Sequence, residues 1–142
     1  MPHRPGDPPR MTSGRISGAA QQHRGILMVE ALVAACAVIA RADGKSSPIE
    51  RWRLSTVLAD DPLLASLPAD IADEASEMHR RAFLSDPVAA RAAALQQVAR
   101  VASEPHKARM VFDACVLVTR ADQRTHPAEL QALRDVKAAL KV

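Results

Sequence analysis

Four carboxylates in this chain fall into two matched pairs. Asp43 precedes Glu50 by seven residues, and Asp122 precedes Glu129 by the same interval. Across a tight helix–loop–helix turn, the two side chains of a pair at this spacing can approach one point. The pairs sit inside a longer repeat. Ala35–Leu54 (ACAVIARADGKSSPIERWRL) returns as Ala114–Leu133 (ACVLVTRADQRTHPAELQAL), 79 positions later. Ala35/Ala114, Cys36/Cys115, Arg41/Arg120, Ala42/Ala121, Asp43/Asp122, Pro48/Pro127, Glu50/Glu129 and Leu54/Leu133 are identical. Each copy reads as one supersecondary unit: an apolar helix, an Asp-headed loop, and a second helix opened by Pro with Glu two residues on.

Counting oxygens limits what either pair can hold. Calcium takes about six to eight oxygen ligands, and each half offers one Asp and one Glu. Lys45, Ser46 and Ser47 lie between the first pair, and Arg124, Thr125 and His126 between the second. Water would complete the shell, and Lys45 and Arg124 oppose a cation by Coulomb repulsion. The expected affinity is therefore weak, about 10⁻⁴–10⁻³ M or worse. The first loop should be the better one, because Gly44 accepts a left-handed turn that Gln123 resists. The same acids have a structural role open to them. Glu50 and Glu129 stand at the third helical position, where a carboxylate favours the helix dipole and can reach the N-cap amide, worth about 0.3–1.5 kcal/mol. Asp43 and Asp122 can accept loop amides. A partner contact is the third alternative.

Other reactive side chains form no set. Cys36 and Cys115 match no CxxC spacing and suit small core positions as reduced thiols. His79, His106 and His126 are isolated, without the spacing of a zinc helix. Arg80-Arg81 suits a solvated helix face. No nucleophile–base–acid set and no Gly-rich phosphate loop is present, so the expectation is a protein that is not an enzyme. Nucleic-acid association through an N-terminal basic tail is the alternative, as is an uncharacterised enzyme. Stacking platforms need aromatics and specific readers need a basic face. Aromatics are only 2% of the chain, so specific nucleic-acid recognition is not expected.

The elements that must position these residues follow from composition. Of 142 residues 48% are hydrophobic, with abundant Ala and little aromatic or β-branched content. That balance favours helices over sheet. The formal charge of +3 resides in residues 1–25, where Arg4, Arg10, Arg15 and Arg24 face only Asp7; residues 26–142 are neutral overall. The first 25 residues, with four Pro and four Gly, are expected to be a disordered basic tail, in which Met11 is a second candidate start. A basic leader, the run Ala31–Ala40 and then Ala40-Arg41-Ala42 imitate a signal peptide with its cleavage site. Glu30 interrupts the run, ten residues are too few to span a bilayer, and the pattern recurs at 114–122. A cytoplasmic protein is expected, meeting a membrane only through a partner.

Residues 26–142 read as about six helices. The first, 26–41, is apolar nearly all round and should be buried; Asp43-Gly44 stops it. Ser47-Pro48-Ile49-Glu50 is a capping box opening the second, with Ile49, Trp52 and Thr56/Val57 inward. A third, from Pro68, carries the stripe Ile71, Ala75, Met78, Ala82. Asp86-Pro87 caps a fourth, with Val88, Ala92, Leu95, Ala99 and Ala102. A fifth opens at Ser103-Glu104-Pro105 and should be the second central helix, with Met110, Phe112, Cys115, Leu117 and Val118. The sixth, from His126-Pro127, presents Leu130, Leu133, Val136 and Leu140. Helices 26–41 and 105–119 should pack together about a pseudo-twofold axis.

The two ADxxxxPxE stretches, each ending an apolar helix, resemble the TerB-like proteins of bacterial tellurite resistance. The likeness runs from about Gly25 to Leu140. It implies an all-α domain with two helix-loop-helix halves around a central helix pair. It also implies a part in the response to tellurite and other stresses, through protein partners in a stress-response complex. Divalent-cation binding would follow through Asp43, Glu50, Asp122 and Glu129. Gln123 departs from the family's Gly in the second copy.

Overall fold

The computed structural model describes residues 8–42, 65, 67–68, 70–119 and 127–142, with side chains from His23 onward except that of Val118. Among the described residues there are five helices: α1 (Pro8–Ala40), α2 (Asp70–Ser85), α3 (Pro87–Ala99), α4 (Pro105–Thr119) and α5 (Pro127–Leu140). The expected helix after Ser47, with Trp52, and the stop at Asp43-Gly44 lie outside them. The all-α class holds.

Every other described helix packs on α1. Around it α2 touches α3, α3 touches α5, and α5 touches α4. The reason is visible in α1 itself. Met28, Val29, Ala31–Cys36, Val38 and Ile39 are all buried, and Glu30, Ala37 and Ala40 are half-buried, so little of this stretch is left for water. A helix that is apolar all round must be covered on every side, and four one-sided helices supply the cover.

The start of α1 differs from expectation. Residues 8–25, read as disordered, continue the helix backward to Pro8. Once the buried stretch is nucleated, each further residue adds a hydrogen bond at low cost. No proline lies between Arg10 and Gly25, and Pro8 and Pro9 sit in the first turn, where a missing N–H costs nothing. The apolar part is also longer than ten residues. His23–Ala40 is long and apolar enough to cross a membrane by length and composition. The length objection to a span therefore fails, and what characterises the stretch here is its burial against four helices.

Helix boundaries follow the cap signals closely. Asp86 is extended (φ −151°, ψ 92°) and its side chain accepts the Ala89 N–H at 3.2 Å, with Pro87 at the first helical position. At the other end of the domain, the Val142 N–H reaches the Lys137 carbonyl and the Lys141 N–H reaches that of Ala138. This is a Schellman closure of α5, with Lys141 left-handed at φ 58°.

Faces follow the sequence less closely. On α3 the stripe through Val88, Ala92 and Ala99 is exposed, Val88 at 82%; Ala90, Ala94 and Val98 are buried instead. With Ala at most positions of α3, periodicity cannot fix the phase, and the smooth Ala90/Ala94 side approaches the core. On α2, Ala75 is buried but Met78 is exposed, and His79 takes the inward place. Helix α4 is one-sided rather than apolar all round. Ala108, Val111, Ala114 and Cys115 face inward, while Leu117 is exposed beside Arg109 and Asp113. On α5, Leu130 is exposed, and Glu129 and Ala132 join Val136 and Leu140 inside.

Contact between α1 and α4 is as expected. Positions equivalent in the repeat are buried in both helices: Val29 and Ala108, Leu32 and Val111, Ala35 and Ala114, Cys36 and Cys115. Two variants test this packing. Ala114→Leu should overpack the core and lower stability by about 1–3 kcal/mol in denaturant unfolding. Val98→Ala should cost about 1–3 kcal/mol whereas Val88→Ala should stay within about 0.5 kcal/mol; equal effects would contradict the assigned face of α3.

Candidate functional site

Of the four acids that pair in the sequence, the structure describes Glu129. Asp43, Glu50 and Asp122 lie outside the described residues. Glu129 stands in the first turn of α5, two residues after Pro127, and is buried at 4% exposure. The helix dipole makes this end favourable for a carboxylate. Burial goes beyond the exposed cap that a turn-opening Glu suggests. No group of three or more His, Cys, Asp or Glu residues able to hold a metal ion is present among the described residues.

Two other polar features are buried, and neither was visible as a pair in the sequence. His79 on α2 lies with its Nε2 3.1 Å from Gln97 Oε1 on α3. An amide oxygen only accepts, so Nε2 carries the proton. Burial pushes the imidazole below its ordinary pKa; the Gln97 hydrogen bond and the nearby Glu30 carboxylate on α1 pull the other way. Three helices thus meet at one histidine. Thr119 ends α4 with its hydroxyl donating to the Cys115 carbonyl at 2.7 Å. That bond satisfies a buried hydroxyl at the helix end.

The two cysteines are free, buried thiols. The neighbouring Cys36 side chain and burial push the Cys115 thiol well above its ordinary pKa. Their separation of 79 residues gave no motif, yet their matching positions in the repeat were the available signal.

Among the described residues, several surface cations are paired with acids. Glu77 binds both Arg80 and Arg81, and these hydrogen bonds hold its carboxyl down at about 2. Arg80-Arg81 is thus a solvated face, as its sequence suggests. Arg91 on α3 pairs with Asp135 on α5. The Arg109 guanidinium and the Lys137 ammonium stand 5.7 and 5.9 Å from the Phe112 ring centroid, a spacing at the outer limit of cation–π attraction. His106 is exposed, and His126 lies outside the described residues.

The family model described as "Tellurite resistance protein TerB" matches residues 29–142. The chain belongs to the TerB family. Neither a search of curated proteins nor one of solved structures found a match. The matched TerB span contains both acid pairs, both cysteines and the whole of α2 to α5, and leaves the first part of α1 outside.

The TerB domain's buried histidine predicts a pH dependence. With the folded pKa of His79 below the unfolded value near 6.5, the unfolded chain binds the proton more readily. The stabilising contribution is complete above about pH 6.5 and is lost as pH falls toward the folded value. Urea unfolding at pH 7 and pH 5 should show a stability loss that shrinks in His79→Gln. An unchanged pH slope in the variant would rule His79 out as its source.

Proposed function

We propose that this TerB domain is a non-catalytic component of a tellurite or general stress response, acting by binding protein partners and, weakly, a divalent cation. The match to the TerB model over residues 29–142 carries this reading. In its sequence each copy of the repeat carries an Asp followed seven residues later by a Glu. Asp43 with Glu50 is the better candidate ion pair, because Gly44 follows the Asp. Asp122 with Glu129 is the weaker one, and the burial of Glu129 at a helix N-terminus favours a structural carboxylate there. We place the protein in the cytoplasm. Specific nucleic-acid recognition is not part of this proposal, since Arg80, Arg81, Arg91 and Arg109 are engaged with acidic side chains.

Calorimetric titration with calcium tests the ion part. The expected dissociation constant is about 10⁻⁴–10⁻³ M or weaker, and it should be abolished by Glu50→Gln while Glu129→Gln leaves it in place. Asp43→Ala should lower stability even in chelator, because a loop Asp holds its turn amides. Micromolar affinity, or an Asp43→Ala variant as stable as the parent, would overturn this assignment.

A further inference from the structure

Helix α1 is about twice as long as the helices that cover it. Its 33 residues span about 50 Å at 1.5 Å per residue, while the described helices packed on it run 13–16 residues, about 20–24 Å. Burial begins at Gly25, and His23 and Arg24 before it are exposed. Residues 8–24 continue the helix ahead of the buried stretch and lie outside the TerB-matched span. The charge of this arm has one sign. It carries Arg10, Arg15 and Arg24, and no acidic residue lies between Asp7 and Glu30, whereas residues 26–142 are neutral overall. A polyanion is the complementary partner.

Helical register narrows the choice of polyanion. At 3.6 residues per turn, positions 10 and 15 lie about 140° apart around the axis, and positions 15 and 24 about 180° apart. Cationic positions thus fall on two sides of one rod. A membrane surface asks for a different arrangement, with charge on one side and large apolar residues on the other. Met11 and Ile16 are the only large apolar residues of the arm. The groove of a double helix has phosphates along both walls, and the major groove of B-DNA, about 12 Å wide, admits one α-helix. Gly14, Gly18, Ala19 and Ala20 add little bulk to the rod. We propose that residues 8–24 of α1 are an arm that lies in the major groove of duplex DNA, with positions 10 and 24 toward one phosphate wall and position 15 toward the other. Binding is independent of DNA sequence, because phosphate contacts position a protein without reading bases. The arm lies outside the TerB-matched span, so this role does not rest on the one proposed above.

Fluorescence anisotropy of a labelled random-sequence DNA duplex, titrated with the full chain, tests this. Three neutralised phosphates give a slope of log affinity against log salt of about −2.7, so affinity should drop about 40-fold between about 50 and 200 mM salt. Each of Arg10→Gln, Arg15→Gln and Arg24→Gln should reduce the slope by about 0.9. The triple variant should lose binding while melting at the temperature of the parent. A second duplex of different sequence should bind equally well. Salt-independent binding, no binding at about 50 mM salt, or a triple variant that binds as the parent does would overturn the proposal. So would tighter binding to single-stranded DNA, to phosphatidylserine vesicles or to polyglutamate than to the duplex, each of which assigns the arm to another partner.

Discussion

The structure depends on the coverage of one helix. Between Glu30 and Arg41, α1 carries no charge, and Ala31 to Cys36 are buried without interruption. Any side left open would expose apolar surface at a cost of about 25 cal/mol per Å². Helices α2 to α5 are arranged by that requirement, and their contacts with one another follow from sharing α1. Each needs only one apolar face, and each keeps the rest for water.

Alanine decides how that cover is made. Ala31, Ala34, Ala35, Ala94, Ala108 and Ala132 are buried to within the last per cent or less. With two Phe and one Trp in the whole chain, the described core is filled by Ala together with Val, Leu and Ile rather than by aromatic rings. Such packing is sensitive to enlargement, since an added methylene group has no void to occupy. It also brings side chains on neighbouring helices within reach of one another. The His79–Gln97 bond between α2 and α3 is one such contact.

Buried polar groups sit where helices end or cross. Thr119 finds the Cys115 carbonyl one turn back, and His79 finds Gln97 across a helix crossing. Glu129 is buried at the opening of α5. None of these resembles a constellation for covalent or acid–base chemistry.

The sequence by itself determined the helical class, the family, the central place of residues 26–41 and the starts of α3, α4 and α5. Local chemistry is sufficient for these. Asp86-Pro87, Glu104-Pro105 and His126-Pro127 set helix origins whatever packs around them, and a charge-free stretch has nowhere to go but the interior. The repeat also marked Cys36 and Cys115 as equivalent, though not as neighbours. Tertiary structure alone decided which side of α3 faces inward, because an alanine-rich helix has no phase in its pattern. It decided that His79 rather than Met78 enters the core, where Gln97 of α3 satisfies the ring and no local signal could announce it. It also extended α1 back to Pro8, since helix propagation depends on a nucleus supplied by packing further along the chain. The two cysteine-bearing helices, 79 residues apart in register, are in contact for the same kind of reason: both bury an apolar face.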